Sequence, residues 1–119
     1  MIRTILTLHA NPINADKIVE LYRREQILAE SLYLTRAIES EISMNPSNPG
    51  EILVTALWPD SDAYREWLDH PNRGRTAPEL TALLDDAEIG AGRIYEIDHR
   101  VDRNTLLTSA TATTDLPKN

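Results

Sequence analysis

The chain has 119 residues, which suits a single domain, because two domains of half that length would each bury too small a core. Its 12 Lys and Arg against 19 Asp and Glu give a net charge of −7. That charge disfavours partners that are bound through positive charge, namely nucleic acids and anionic membrane surfaces. The sequence has no Cys, which excludes disulfides and thiolate metal sites. With no long apolar run and no leader-like start, we expect a cytoplasmic protein.

The first half of the chain predicts a strand, a helix and two further strands. Residues 2–10 are rich in β-branched residues and Leu and end at an Asn-Pro turn signal, which indicates a strand. Asn14 is a suitable cap for a helix over residues 15–30, whose apolar positions recur at helical spacing. Residues 32–44 indicate a second strand. After a turn rich in Asn and Pro, residues 51–58 are apolar at almost every position, which is typical of a strand buried on both faces.

The second half predicts a helix pair, one more strand and a tail. Ser61 is a good cap for a short helix, and Thr76 begins a second helix with a capping-box pattern. A loop with Pro and Gly separates the two helices. Residues 93–101 indicate the last strand. Residues 102–119 are rich in Thr, Ser and Ala without periodicity, and we interpret them as a flexible tail after a single domain of residues 1–101.

The element order βαββαβ predicts an α+β fold of the ferredoxin-like type, an antiparallel sheet with helices on one face. The apolar third strand then needs cover on its second face. We expect a second copy of the chain to supply it, in a homodimer whose interface carries Ile2, Leu6 and Leu8. Thr7 and His9 lie on the other side of the first strand by the two-residue alternation, and we expect that side to face the helices and a pocket.

The segment from residue 56 to 67, Ala-Leu-Trp-Pro-Asp-Ser-Asp-Ala-Tyr-Arg-Glu-Trp, resembles a signature of the antibiotic biosynthesis monooxygenase family. In that family a strand ends in Trp, an acidic or Ser-containing turn follows, and the next helix carries Ala and an aromatic residue. The first strand with its Asn-Pro, and Gly-Arg-Ile-Tyr-Glu-Ile near the end, are similar as well. The resemblance covers residues 1–101 and implies a dimeric α/β barrel with a pocket between the sheet and helices of each subunit.

The family includes cofactor-independent oxygenases of aromatic polyketides, and their pattern assigns roles to two aromatic residues. Trp58 and Tyr64 match the strand-end Trp and the helix aromatic of the oxygenase pocket, whereas Val54 replaces an Asn. This resemblance implies that both rings stack on a flat substrate and that Tyr64 donates a hydrogen bond to its phenolate or ketone oxygen. The alternative is that both residues belong to the core and fix the helix to the sheet.

The family also includes enzymes that degrade haem or autoinducers, and the haem-degrading pattern fits less well. Trp67 matches the helix Trp of that subgroup, and we expect it to form a wall of the pocket. Thr7 stands where the subgroup has Asn, and Thr76 stands near the position of the axial His. The resemblance therefore disfavours haem degradation.

Four charged or titratable side chains are further candidates. Glu25, on the apolar helix face, is a candidate base if its surroundings disfavour the charged form; the alternative is a carboxylate that reaches water at the helix edge. His9 is the other candidate base, although a lone strand-end His is more often structural. His70 and Arg73 lie in the loop between the later helices, where they would present cations to an anionic intermediate if the loop closed; the alternative is a solvated connector.

Together these features predict a small monooxygenase that uses no cofactor and acts with O₂ on an enolisable aromatic or polyketide-like compound. We expect no metal site, because three scattered His without Cys make no ligand set, and the sequence has no phosphate loop or dinucleotide fingerprint. A non-oxidative cyclase or isomerase on a similar substrate, and a non-catalytic dimer that binds a small ligand, remain as alternatives.

Overall fold

An antiparallel sheet forms the centre of the chain, and the computed structural model describes residues 1–85 and 92–104. The strand order across the sheet is β2-β3-β1-β4, with β1 between β3 and β4 and with β2 at one edge. This order and the helices on one side confirm the predicted α+β, ferredoxin-like fold. The strands are β1 (Ile2–His9), β2 (Glu39–Asn45), β3 (Asn48–Trp58) and β4 (Arg93–Glu96).

Two of the helices begin at caps one or three residues earlier than predicted from the sequence, whereas the last begins after Thr76 as predicted. Asn11, not Asn14, caps the first helix, because its side-chain oxygen accepts the N–H of Asn14 at 2.9 Å. Asp60, not Ser61, caps the third helix, where its carboxylate accepts the N–H of Ala63 at 2.8 Å. The helices are α1 (Pro12–Arg24), α2 (Ile27–Leu34), α3 (Ser61–Asp69) and α4 (Ala77–Leu83), with a 3₁₀ turn (Pro71–Gly74) before α4.

The single helix predicted for residues 15–30 is two helices. Gln26 has a left-handed backbone, with φ of 53°, and its side chain donates a hydrogen bond to the carbonyl of Arg23 at 2.8 Å. The strand predicted for residues 32–44 is correspondingly shorter, since its first three residues continue α2. A short apolar run does not distinguish a helix from a strand by periodicity, which is why the boundary was misplaced.

The two faces of β1 are the reverse of those predicted. Ile2, Leu6 and Leu8 face the helices; Leu8 is 2% exposed and packs in the core with Ile18 of α1. Thr7 and His9 are exposed on the opposite face. The predicted dimer interface through Ile2, Leu6 and Leu8 is therefore wrong, because the helices of the same chain already cover these side chains.

The opposite face, which we call the open face, carries mixed side chains. On β1 and β3 it holds Ile5 and Leu53, both partly exposed, together with Leu57, which is buried. Arg100, which follows β4, reaches within 4.0 Å of Glu39 on the far edge strand, so the chain after β4 passes along this face. The last strand is shorter than the predicted residues 93–101.

The predicted tail of residues 102–119 lies mostly outside the described residues, so the domain boundary stays a prediction. Within the ranges described above, the helices are too short or too polar to cross a membrane.

Candidate functional site

A cavity of about 120 Å³ lies between the sheet and the helices. Its floor is the helix-facing side of β1 and β3, and its walls come from the helices and the 3₁₀ turn. Most of its lining is apolar, and the polar groups are mainly hydroxyls. The residues that carry its polar or aromatic groups are Thr4, Tyr22, Ser31, Ser40, Trp58, Tyr64, Trp67, Arg73 and Thr76.

Trp58 is the last residue of β3 and forms one end of the cavity. The side chain is 1% exposed, and its indole N–H donates a hydrogen bond to the hydroxyl of Thr4 at 2.9 Å. The ring centroid of Tyr64 lies 5.3 Å away, with the two planes tilted by 54°. Because β3 ends at Trp58 and the cap of α3 follows two residues later, the strand end and the first turn of α3 bring both rings together.

Tyr64 is held by the chain segment that enters β4. Its hydroxyl oxygen accepts the N–H of Gly92 at 2.7 Å, and the side chain is 6% exposed. A β-carbon at position 92 would lie 3.1 Å from this hydroxyl and 3.2 Å from the carbonyl oxygen of Ile5, so glycine permits the close approach. A hydroxyl that accepts one hydrogen bond still has its own proton to donate. The lining position of Tyr64 therefore offers a donor to a bound molecule.

Tyr22 of α1, one of the apolar positions that recur along the predicted helix, also lines the cavity. It is 6% exposed, and within residues 1–85 and 92–104 its hydroxyl makes no hydrogen bond. Burial raises the pKa of Tyr22 to about 12, an effect that the positive charge of Arg73 partly offsets. Tyr22 is thus a neutral donor at ordinary pH. The available signal was a hydroxyl-bearing aromatic on an otherwise apolar helix stripe.

Three smaller hydroxyl residues also line the cavity and were missed. Ser31 is buried on α2 and donates to the carbonyl of Leu28 at 2.7 Å. Thr76 is 8% exposed and its side chain makes no capping hydrogen bond to α4, contrary to the predicted capping box. Ser40 comes from β2. Isolated Ser and Thr residues are common in any sequence, so only the tertiary structure shows that these converge.

The two candidate bases do not line the cavity. Glu25 caps the C-terminus of α1; its side chain is 36% exposed, and its carboxylate lies 3.6 Å from the guanidinium of Arg75. Its predicted place on an apolar stripe is wrong, because α1 ends before it. His9 lies exposed on the open face, so the expectation that it faces the pocket is also wrong, as it is for Thr7.

His70 and Arg73 separate in the structure. The ring nitrogen Nδ1 of His70 accepts the N–H of Asn72 at 3.1 Å and caps the 3₁₀ turn, while the ring stacks on Trp67 at 6.2 Å. Arg73, inside that turn, lines the cavity. Of the predicted site residues, the cavity brings together Trp58, Tyr64, Trp67 and Arg73, and it leaves outside Thr7, His9, Glu25 and His70.

Among the described residues, no three His, Cys, Asp or Glu side chains are close enough to hold a metal ion together. The polar lining groups are hydroxyls, two indoles and a guanidinium, which are donors suited to an anionic or carbonyl oxygen rather than ligands for a cation.

Comparison with known proteins identifies structural relatives only. No family model matches the sequence, and no curated protein matches it. A proposed antibiotic biosynthesis monooxygenase from Deinococcus radiodurans has 22% identity and a TM-score of 0.68, over 86% of this chain and 97% of that one. A second structure, described as an antibiotic biosynthesis monooxygenase, has 18% identity and a TM-score of 0.64, over 85% and 100% of the two chains.

A third relative carries a more specific description. SnoaB, a cofactor-independent oxygenase from Streptomyces nogalater, in a mutant form, has 16% identity and a TM-score of 0.58, over 84% of this chain and 93% of its own. At these identities the likeness establishes the fold and leaves the reaction open. The chain has the fold of the antibiotic biosynthesis monooxygenase structures, in support of the resemblance seen around Trp58 and Tyr64.

Proposed function

We propose that the protein is a small cofactor-independent monooxygenase that acts on an enolisable aromatic or polyketide-like compound. One observation carries this proposal. The hydroxyl of Tyr64 lines a mostly apolar cavity and is oriented by the N–H of Gly92, so that its own proton is available to a substrate oxygen. The description of SnoaB as a cofactor-independent oxygenase supports the proposal, since the two chains share a fold.

In this reaction the substrate is itself the reductant. After losing its acidic proton, the substrate anion gives one electron to O₂, and the two radicals combine to form a C–O–O bond. Protonation of this peroxide and loss of water then convert the CH₂ carbon into a carbonyl. One oxygen atom of O₂ enters the product and the other leaves as water, so that CH₂ and O₂ give C=O and H₂O. The protein need only stabilise the anion and exclude bulk water.

The lining residues supply those two contributions. Tyr64 donates to the developing oxyanion, and the positive charge of Arg73 lowers the energy of an anion in the same cavity. Trp58 and Trp67 form aromatic walls. Because Glu25 and His9 lie outside the lining, we do not assign them the base role, and the acidic proton passes to solvent water.

The test is product formation from an anthrone and from a one-ring 1,3-diketone, both of which carry an acidic CH₂, measured with and without O₂. We expect Tyr64→Phe to lower kcat/KM by at least roughly tenfold, while Tyr33→Phe, at a position 87% exposed, leaves it unchanged. Thermal unfolding checks that both variants fold. Turnover of Tyr64→Phe at the wild-type rate would contradict the proposal, and product formation without O₂ would indicate the cyclase or isomerase instead.

A non-catalytic ligand-binding protein is the second candidate, and the position of the two candidate bases favours it. Glu25 and His9 both lie outside the cavity lining. Saturable binding without any product, in air, across the same compounds would support this candidate over the enzyme.

We also propose that the protein is a homodimer that uses the open face. Ile5 and Leu53 are partly exposed there, and a second sheet would cover both. Light scattering should give a dimer at micromolar concentration, and Leu53→Asp should give a monomer. A wild-type chain that is monomeric at this concentration would contradict the proposal.

A further inference from the structure

The cavity is small enough to limit the number of rings in a bound aromatic compound. Its volume is about 120 Å³. A dry apolar cavity of ~150 Å³ in a protein interior holds one benzene molecule. A single six-membered ring therefore matches the space, whereas two or three fused rings would require the walls to move.

The polar groups of the lining differ in whether the structure already gives them a hydrogen bond. The indole N–H of Trp58 is bonded to Thr4, and the hydroxyl of Tyr64 already accepts the N–H of Gly92. The hydroxyl of Ser31 donates to a backbone carbonyl. Tyr22, by contrast, lines the cavity, and its hydroxyl makes no hydrogen bond within the described residues. Its side chain is 6% exposed.

Among the described residues no fully buried side-chain oxygen lacks a hydrogen-bond partner, so the Tyr22 hydroxyl, which makes no hydrogen bond, is open to the space beside it, and a ligand oxygen placed there gains a hydrogen bond. Burial keeps Tyr22 protonated, since it raises the pKa of the phenol to about 12, and the group therefore acts as a donor. Arg73 lines the same cavity and its charge acts on Tyr22. An oxygen at this point thus meets a hydrogen-bond donor and a positive potential, which favour a phenolic or enolic oxygen.

We infer that the cavity takes a single-ring aromatic compound whose phenolic or enolic oxygen accepts a hydrogen bond from Tyr22. This inference deepens the proposed function, because it rests on the same cavity and narrows its substrate class. Tyr22 is then a specificity-determining residue, which selects oxygenated rings over plain hydrocarbon rings of the same size.

The test is a binding titration without O₂, read from Trp fluorescence and calorimetry, with phenol, toluene, 1-naphthol and anthrone. Phenol and toluene are nearly the same size but differ in the hydroxyl. Tyr22→Phe should weaken phenol binding by roughly three- to tenfold, the usual effect of one neutral hydrogen bond, and leave toluene binding unchanged. Tyr33→Phe, on the protein surface, is the matched control and should change neither.

The outcomes separate this inference from the proposed function. Unchanged toluene binding by Tyr22→Phe shows that the cavity is intact, so an unchanged phenol affinity would then overturn the inference. Binding of anthrone as tight as that of phenol would overturn it as well, as would no phenol binding up to about 10 mM, a range that covers weak single-hydrogen-bond ligands. Phenol binding that depends on Tyr22, together with no product in air, would instead contradict the monooxygenase and leave the inference standing.

Discussion

The hydrogen bond between Thr4 and Trp58 gives the most direct test of how the cavity is built. Both side chains are buried, at 5% and 1% exposure, and the donor–acceptor distance is 2.9 Å. Thr4→Val keeps the shape of the side chain but removes the acceptor. The indole N–H is then left in the interior without a partner, which costs about 1–3 kcal/mol of the free energy of unfolding.

That free energy is measured by urea unfolding, followed by Trp fluorescence. For a domain of this size each kcal/mol lowers Tm by roughly 4–8 °C, so a fall of several degrees should accompany the change. Thr7→Val is the matched control, because Thr7 lies on the same strand but is exposed on the open face. We expect its effect to stay within about 0.5 kcal/mol.

A double-mutant cycle assigns the effect to the pair. In the Trp58→Phe background the N–H is absent, so Thr4→Val should cost much less, and the coupling energy should be close to the single-mutant cost. If Thr4→Val changed the free energy of unfolding by no more than the Thr7→Val control, Trp58 would have another partner and the account of its fixed position would be wrong.

Two further predictions concern a backbone approach and a titration. A β-carbon at Gly50 would lie 2.1 Å from the carbonyl oxygen of Ala10, so Gly50→Ala should lower the free energy of unfolding in urea by about 1–3 kcal/mol. Gly74→Ala is the control, because a β-carbon there would meet nothing within 4 Å, and it should be nearly neutral. Equal losses in the two variants would contradict this. Between pH ~10 and 12 the unfolded chain loses the Tyr22 proton while the folded chain keeps it, because burial raises the pKa of Tyr22 to about 12. The free energy of unfolding should therefore fall by roughly 2–3 kcal/mol over this range, and Tyr22→Phe should lack this fall. An unchanged fall in the variant would show that other groups cause it.

The fold was predictable because its signals are local. Asn-Pro after β1 and Pro-Asp after β3 mark the strand ends, and the periodicity between them indicates helices. The break between α1 and α2 was not predictable in the same way. Gln26 has the left-handed backbone there, a conformation that usually belongs to Gly or Asn, so tertiary packing rather than local preference sets the break.

The site was predictable only where its residues lie close together in sequence. Trp58, Tyr64 and Trp67 fall within ten positions; the oxygenase pattern points to the first two and the haem-degrading pattern to the third. The alternation along β1 shows which residues share a face but not which face is covered, so Thr7 was expected in the pocket where Thr4 is found. Whether the helices cover one side of β1 or the other depends on contacts with residues far along the chain.

The role of Glu25 can be decided against a neighbouring carboxylate. Arg75 donates to Glu30 at 2.7 Å, lies 3.6 Å from Glu25, and also bonds the backbone carbonyl of Glu25. The hydrogen bond to Glu30 is the main cause of the raised pKa of Arg75, and Glu25 adds a smaller charge effect. These contacts tie the segment around the 3₁₀ turn, which carries Arg73, to the junction of α1 and α2.

If the carboxylates hold these two segments together, Glu30→Gln should increase amide hydrogen exchange at residues 71–76 more than Glu25→Gln does. The reason is that Glu25→Gln keeps the backbone carbonyl that Arg75 contacts. Turnover should fall little in either variant. If Glu25 is instead the base, Glu25→Gln should lower kcat by roughly a hundredfold or more while exchange stays at the wild-type rate. Hydrogen exchange by mass spectrometry and kinetics on the same two variants therefore distinguish the two roles. A loss of kcat in Glu25→Gln without faster exchange would show that Glu25 is the base, although it lies outside the cavity.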